Sequence, residues 1–302
     1  MGNFMIENDA LRVTAASHGA ELVSIYDKEK AQEYLWNGDE KYWPRRAPVL
    51  FPFVGQVKNK QYTYNGKTYA MGQHGFARDM EFDCTRQEKD CLWFRLCSDE
   101  STLERYPFAF CLDIGYELRG RELKVLWKVT NPSDETMYFS IGAHPAFMCP
   151  LKDDEKQTDY FIDFHTQEDI SYNLIKQDGL VGIYDERLAL DGGVCSIDAH
   201  MFDRDALIVE NGQSHSVSLL DSSRQPYVTV DFDAPLFGIW SPTGKNAPFV
   251  CIEPWYGRCD AVDFEGSLKD RAYGQILEGR RIYKNAPRGM ASHYSALHGS
   301  AG

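Results

Sequence analysis

The sequence has no excess of positive charge and no long apolar run. Its 302 residues include 45 acidic and 32 basic side chains, which gives a formal net charge of −13. Such a surface repels phosphate backbones and anionic lipids, so neither a nucleic acid nor a membrane is expected as a partner. No stretch of about eighteen apolar residues exists, and the first residues lack the basic, apolar and small-residue order of a secretory signal. We therefore expect a cytoplasmic protein.

The eight cysteines lack any CxxC pair, and structural zinc sites normally take their ligands from such closely spaced pairs. Because the cysteines are scattered through apolar segments, the sequence predicts small buried hydrophobic side chains and no metal site. The positions are Cys84, Cys91, Cys97, Cys111, Cys149, Cys195, Cys251 and Cys259.

Helical periodicity is nearly absent. Residues 100–106 are compatible with one or two helical turns, and residues 267–277 fit neither a helix nor a strand clearly. No alternation of strands with helices and no glycine-rich nucleotide loop appears, which argues against an enzyme that uses a dinucleotide or ATP.

Alternation with a period of two dominates instead. Residues 123–129 place four apolar side chains on one face and both lysines on the other, the pattern of a half-buried strand. Asn65-Gly66 predicts a two-residue hairpin turn, since both residues adopt positive φ easily, and a second turn is predicted at residues 119–121. Further strands are predicted at residues 20–26, 92–96, 110–118, 216–220 and 227–232.

The predicted fold is therefore all-β, a large antiparallel β-sandwich. Strands continue on both sides of every Gly/Pro cluster and no linker divides the chain, so residues 1–287 are predicted to form a single domain. Residues 288–302 are rich in Ala, Ser and Gly and are predicted to be a flexible tail.

Two histidines interrupt the strand pattern in apolar surroundings. His74 precedes Gly75, where the backbone can bend sharply or approach a ligand, and Arg78 offers donors nearby. His144 precedes Pro145, which cannot donate to a strand ladder, so a strand ends or lies at an edge there. Each histidine is either functional or a structural residue bonded to a carbonyl, because histidine fills both roles.

Glu253 is the sharpest single signal in the sequence. It follows four apolar residues and precedes Pro254 and Trp255. Burial there raises the pKa of a carboxyl group and makes it a better proton acceptor near neutral pH. The alternative is a buried ion pair with Arg258 or another arginine, and the residues alone leave both interpretations open.

One carboxylate and two histidines suffice for proton transfer on a small polar substrate. Signatures of serine hydrolases, of Schiff-base lysines and of zinc proteases are missing. Aromatic residues make up 13% of the chain, and flat rings beside polar groups suit a sugar, although most of them can also fill a core. Those that flank the three polar segments are Trp36, Trp43, Phe51, Phe53, Trp240 and Trp255.

Five segments together resemble the aldose 1-epimerase (galactose mutarotase-like) family, especially its LacX-like branch. They occur in the family's order and with similar spacing over roughly residues 5 to 284. The segments are Ala-Pro-Val-Leu-Phe-Pro-Phe-Val-Gly (47–55), Tyr-Thr-Tyr-Asn-Gly-Lys-Thr-Tyr (62–69), Gln-His-Gly-Phe-Ala-Arg-Asp (73–79), Gly-Ala-His-Pro-Ala-Phe (142–147) and Cys-Ile-Glu-Pro-Trp (251–255).

The resemblance implies a β-supersandwich and a cofactor-independent enzyme that interconverts the α and β anomers of a free hexose. By motif position, Glu253 matches the general base that takes the C1 hydroxyl proton. His144 matches the general acid that protonates the ring oxygen, and His74 matches the second active-site histidine, which holds the substrate near that oxygen.

The resemblance also implies a set of substrate-binding residues, with departures. Gln56 stands where many relatives have arginine, and Asn59-Lys60 is the best match to the Asn-Arg pair of galactose mutarotases, so the hydroxyl pattern recognised here stays open. Asp203 is a rival for the position of the binding aspartate. The predicted binding residues are Arg78, Asp205, Gln56, Asn59 and Trp240.

Two other functions fit the same residues. A hexose-6-phosphate 1-epimerase would hold the phosphate with cations, for which the candidates are Arg45, Arg46, Lys58 and Arg78. A noncatalytic carbohydrate-binding protein would use the same cleft and aromatic rings. Exposed edge strands would also allow a homodimer.

Overall fold

The computed structural model describes residues 2–176, 178–284 and 292–295, the last four for their backbone only. The described residues form 26 strands, one short α-helix and four 3₁₀ turns. In chain order the first strands are β1 Asn3–Glu7, β2 Leu11–Ala16, β3 Leu22–Asp27, β4 Gln32–Glu33, β5 Val49–Leu50, β6 Gln61–Tyr64, β7 Lys67–Ala70, β8 Asp83–Gln87, β9 Cys91–Cys97, β10 Cys111–Arg119, β11 Glu122–Thr130, β12 Met137–Phe139 and β13 Ile141–Ala143. They continue as β14 Ala146–Met148, β15 Phe161–Asp163, β16 Ile170–Ile175, β17 Val181–Leu188, β18 Val194–Ser196, β19 Leu207–Val209, β20 Ser216–Leu220, β21 Pro226–Asp231, β22 Leu236–Trp240, β23 Phe249–Tyr256, β24 Gln275–Leu277, β25 Ile282–Lys284 and β26 Ser292–Ser295.

Two large antiparallel sheets make up most of the fold, which confirms the predicted β-sandwich. The ten-stranded sheet has the order β18-β15-β20-β21-β26-β11-β10-β9-β8, with β25 also on β11. The eight-stranded sheet has the order β17-β16-β19-β22-β23-β13-β5, with β14 also on β23. One apolar core contains residues of both sheets, and the ring of Trp127 on β11 meets that of Tyr256 on β23 at 6.1 Å between centroids.

The strand predictions are confirmed to within two residues at every end. Strand β11 shows the reason most clearly, because the residues that alternate in sequence also alternate in burial. Both predicted hairpins are present. Asn65 and Gly66 have φ values of 47° and 74° between the paired residues Tyr64 and Lys67, as a two-residue turn of this kind requires.

The short helix is also confirmed. Helix α1 spans Glu100–Arg105 and begins at Asp99, whose side chain accepts a hydrogen bond from the Thr102 backbone N–H. The ambiguous segment 267–277 contains a 3₁₀ turn at Leu268–Asp270 followed by β24. In the described part of the chain, no helix has the length and apolar character needed to cross a bilayer.

The prediction that all eight cysteines are free is wrong for two of them. Cys97 and Cys111 form a disulfide, because the register of β9 and β10 places them directly opposite each other. They are 14 positions apart in the chain, so spacing alone gave no sign of this pairing. The other six cysteines are free, and all of these except Cys84 are buried, as predicted.

Part of the predicted tail belongs to the ten-stranded sheet. Strand β26, Ser292–Ser295, pairs with both β11 and β21. The other residues after Lys284 lie outside the described part of the chain. The domain boundary at residue 287 therefore stays a prediction.

Candidate active site

Glu253 lies in the middle of β23, a strand of the eight-stranded sheet in which every residue except the last is buried. Its neighbour on one side is β22, where Gly238 is its register partner. The side chain is 1% exposed, so the carboxyl group has lost its hydration. The ion pair with Arg258 is wrong, because Arg258 donates to Glu210 at 2.8 Å instead.

His144 lies opposite Glu253 on the other side of β23. The ladder stops at His144-Pro145, between β13 and β14, and resumes in the same register, with Gly142 opposite Trp255 and Ala146 opposite Cys251. Pro145 has no N–H for the ladder, which accounts for the gap. Within this gap the His144 Nε2 atom is 3.2 Å from the Glu253 Oε2 atom.

His74 joins this pair from the segment after β7. Its backbone has φ of 65°, its N–H donates to the Gly55 carbonyl at 2.9 Å, and its Nδ1 accepts the Gly55 N–H at 3.1 Å. A neutral imidazole that accepts at Nδ1 carries its proton at Nε2, so His74 presents a donor at that atom. The rings of His74 and His144 meet edge to face at 5.6 Å between centroids.

Gly55 is required for this contact. It has φ of 70°, and a Cβ atom added there would lie 2.5–2.8 Å from Cys259 atoms. Only glycine combines that backbone conformation with so close an approach. The segment that carries Gly55 therefore packs directly onto the chain that follows β23.

Burial shifts the pKa values of the pair in opposite directions. Burial, together with the charge of Asp205, raises the pKa of Glu253 well above its usual value, and the Trp255 side chain offsets part of this. Burial and the positive charge of Arg78 lower the pKa of His144 to about 3. Both shifts disfavour charge, so they favour a pair with a single proton, held on Glu253, and a neutral His144.

Arg78 and Arg45 lower the pKa of His74 as well. Burial lowers its pKa well below the usual histidine value, and His144, Arg78 and Arg45 add to this effect. Arg78 is itself largely buried, and this lowers its pKa to about 10. His74 is therefore a neutral hydrogen-bond donor rather than a cation.

Two tryptophans enclose the imidazole of His144. The Trp43 ring stacks on it at 4.8 Å and the Trp240 ring meets it edge-on at 5.3 Å. Both indoles are partly exposed. Trp240 is among the predicted binding residues and Trp43 is not. The sequence signal for Trp43 is its position four residues before the 47–55 motif.

A cleft of about 900 Å³ borders this centre. Its walls include three predicted binding residues, Gln56, Asn59 and Asp205. Glu253, His144 and His74 are not among its lining residues. The cleft adjoins them through Gln73, the neighbour of His74 in the chain, and through Asp205, whose charge acts on Glu253.

Asp205 and its rival Asp203 have different surroundings. Asp203 is exposed and accepts a hydrogen bond from His200 at 2.8 Å. Asp205 lies two residues before β19, which is separated from the Glu253 strand only by β22, and it contributes to the pKa of Glu253. The structure therefore favours Asp205 over Asp203 as the residue next to the acid and base.

The cations proposed for a phosphate already have protein partners in three of four cases. Arg45 pairs with Asp79 at 2.7 Å, and Lys58 pairs with Glu265 at 2.5 Å. Arg78 donates to the Gln73 carbonyl at 2.8 Å. A phosphate would have to compete with these contacts.

Comparison with known proteins identifies the family. A family model described as aldose 1-epimerase matches residues 3–266. The chain belongs to the aldose 1-epimerase family. The plasmid LacX protein of Lactococcus lactis subsp. lactis is 33% identical over 275 residues, which are 88% of this chain and 91% of that protein.

Solved structures show the same fold. A galactose mutarotase related enzyme from Lactobacillus acidophilus is 34% identical, with a TM-score of 0.89 over 99% of this chain and 98% of that one. A galactose mutarotase-like protein from Lactobacillus casei is 30% identical, with a TM-score of 0.90 over 98% of this chain and all of that one. Membership of the aldose 1-epimerase family supports a mutarotase-type enzyme with a sugar as its small-molecule partner.

In this member of the family, a buried ion pair holds the segment that positions His74. Arg271 donates to the Asp260 carboxylate, and the two side chains are 2% and 5% exposed. Asp260 also accepts the Lys58 N–H at 2.8 Å, and its own N–H donates to the Gln56 carbonyl at 3.0 Å. Both contacts hold residues that directly follow Gly55, the partner of His74, so we expect Asp260 to act as a positioning residue for His74.

We expect Asp260→Asn to lower the free energy of unfolding by about 3–5 kcal/mol, because it leaves a buried guanidinium without a counter-charge. The substitution should also loosen segment 54–58, which holds His74, and so raise KM more than it lowers kcat. Denaturant titration measures the loss of stability, and steady-state kinetics measure KM and kcat. Glu210→Gln, which breaks the separate pair with Arg258, is the control and should leave KM unchanged. Lost stability with unaltered KM would show that Asp260 is structural only.

Proposed function

We propose that this protein interconverts the α and β anomers of a free hexose by acid/base ring opening and closure. The observation that carries the proposal is the 3.2 Å separation of the His144 Nε2 and Glu253 Oε2 atoms in a buried site. The reaction moves one proton from the C1 hydroxyl and another to the ring oxygen. Both oxygens are bonded to C1, so the acid and the base must be immediate neighbours.

The proposed steps use the single proton of the pair. The step begins when that proton moves from Glu253 to His144; Glu253 then takes the proton of the C1 hydroxyl as His144 gives its own to the ring oxygen. The bond between C1 and the ring oxygen breaks and C1 becomes an aldehyde. Rotation about the C1–C2 bond presents the other face, and the return of both protons closes the ring with C1 inverted.

The open-chain stage is favoured by the burial of the pair. At that stage Glu253 is protonated and His144 is neutral, so neither side chain carries a charge. Before ring opening His144 carries a proton and Glu253 is ionised, which leaves two opposite charges in a site of low polarity. Because the two side chains are in direct contact, the proton can also pass back from Glu253 to His144.

The remaining residues bind and orient the sugar. In the proposed complex the His74 Nε2–H donates to the ring oxygen or to a hydroxyl beside it. Trp43 and Trp240 offer flat faces to the C–H bonds of the ring. Asp205 and Gln56 line the adjoining cleft and are proposed to accept and donate hydrogen bonds to hydroxyl groups farther from C1.

The test is a comparison of anomer exchange across substrates. Polarimetry or NMR exchange spectroscopy would follow glucose, galactose and their 6-phosphates with and without the protein. We expect faster exchange of free hexoses. Acceleration of the phosphates alone would favour the hexose-6-phosphate alternative, and tight binding without acceleration would identify a carbohydrate-binding protein. The cytoplasmic location and the homodimer stay predictions that this test does not address.

The lowered pKa of His144 should set the acid side of the pH dependence. Above its lowered pKa of about 3, His144 does not add a second proton to the pair, and below its raised pKa Glu253 does not lose the one the pair holds. We therefore expect kcat/KM to fall on the acid side only well below the usual histidine pKa of about 6.5. Rates corrected for uncatalysed exchange would measure this, and an acid limb near 6.5 would contradict it.

A further inference from the structure

A third side chain lies beside the acid and base and takes no part in the proposed proton transfers. Cys251 is two residues before Glu253 on β23, so both side chains point to the same face of the sheet. One nitrogen, sulfur or oxygen atom from each of His144, Cys251 and Glu253 lies within 4.8 Å of the others. The three residues are 8%, 0% and 1% exposed.

These three ligand types suit a thiophilic divalent cation. An imidazole, a thiolate and a carboxylate are the ligands that Zn²⁺ takes in proteins. The thiolate and the carboxylate together cancel a charge of +2, so the loaded site would be neutral. A neutral set of ligands matters here, because an unbalanced charge in a buried site is costly.

The three ligand atoms are only slightly farther apart than the ligands of a bound metal ion. Metal–ligand bonds of about 2.0–2.3 Å place tetrahedral ligands about 3.3–3.8 Å apart, so the most separated atoms must approach by about 1 Å. Glu253 Oε2 is buried and, apart from His144 Nε2 at 3.2 Å, has no polar partner among the described residues. Three protein ligands leave the fourth position for water or a sugar hydroxyl.

We propose that His144, Cys251 and Glu253 form a binding site for Zn²⁺ or a similar thiophilic divalent cation, and that the bound metal inhibits the protein. Inhibition would arise because the metal occupies the base and the acid together. Binding displaces the thiol proton of Cys251 and the one proton that His144 and Glu253 share, and both are released to solvent. The inhibition rests on the proposed sugar exchange, whereas the metal binding does not.

The sequence predicts no metal site because its cysteines form no closely spaced ligand pair. His144 is more than a hundred residues from Cys251 in the chain and reaches it only through the pairing of β13 and β14 with β23. The nearby positive charges of Arg78 and Arg45, which act on His144, oppose cation binding. We therefore expect weaker binding than at a structural zinc site with four protein ligands.

The direct test is titration of the metal-free full-length chain with Co²⁺ and then Zn²⁺. Cobalt bound to a thiolate gives a sulfur-to-metal charge-transfer absorption band, and Zn²⁺ should displace it. Cys251→Ala should abolish this band and weaken metal binding roughly 10- to 100-fold or more, since it removes a ligand. Cys149→Ala, at a buried free cysteine elsewhere, is the matched control and should change neither.

The second measurement is Zn²⁺ inhibition of sugar exchange. Wild type and Cys149→Ala should be inhibited at similar metal concentrations, and Cys251→Ala should need roughly tenfold more or greater. Cys251→Ser, which keeps the volume, serves if the alanine variant folds poorly. Cobalt binding without the charge-transfer band, or unchanged affinity in both Cys251 variants, would overturn the site. An inactive protein that still shows the band would overturn the proposed function and leave the metal site standing.

Discussion

Replacing Glu253 with glutamine is expected to lower kcat for hexose anomer exchange by about 10²–10⁴-fold, the usual contribution of a positioned base. The amide has nearly the same shape but cannot accept the C1 hydroxyl proton. Because the carboxyl group is buried and its raised pKa favours the neutral form, the variant should fold as well as the wild type. Sugar affinity, measured by calorimetry or ligand-observed NMR, should stay within a few-fold of wild type.

Glu117→Gln is a suitable control for this experiment. It makes the same chemical change on β10, in the ten-stranded sheet, where its contact is with Arg119. It should leave both exchange and affinity unchanged. If Glu253→Gln kept a rate close to that of the wild type, Glu253 would not be the base and the proposed mechanism would be wrong.

Replacing His144 with glutamine is expected to lower kcat by a similar factor of about 10²–10⁴. The glutamine amide can still donate a hydrogen bond near the position of Nε2, but it cannot transfer a proton to the ring oxygen. The variant also loses the imidazole that stacks on Trp43 at 4.8 Å, so some loss of stability should accompany it. Polarimetry and thermal denaturation would measure the two effects separately.

The variant His74→Gln serves as a comparison that separates substrate binding from proton transfer. His74 is a neutral donor whose tautomer is set by Gly55, and glutamine keeps a donor there. Its replacement should therefore act more on KM than on kcat, the reverse of the pattern for His144. Equal losses of kcat at both histidines would mean that the division into an acid and a binding residue is incorrect.

Much of the fold follows from local patterns in the sequence. Alternating apolar residues at 123–129 form β11 because one face of a strand packs on the core, and Asn65-Gly66 closes a hairpin because both residues tolerate positive φ. The burial of Glu253 could also be predicted, since apolar neighbours surround it in the chain. These features depend on residues within a few positions of one another.

The resemblance to a family pointed to Glu253, His144 and His74, but only their arrangement in space makes acid/base chemistry plausible at this site. Register across β23 places His144 opposite Glu253, and the hydrogen bond from Gly55 sets the tautomer of His74. The contact of Trp43 with His144 likewise depends on segments that are a hundred residues apart in the chain.

By itself, then, the sequence determined the class of fold, the turns and the residue types available for proton transfer, because strand periodicity, turn preference and local hydrophobicity act between near neighbours in the chain. Only the tertiary structure decided that Cys97 bonds Cys111, that Arg258 pairs with Glu210 and leaves Glu253 free to face His144, and that Asp205 rather than Asp203 acts on the buried carboxyl group. Each of these outcomes depends on which strands become neighbours, and that is set by long-range packing.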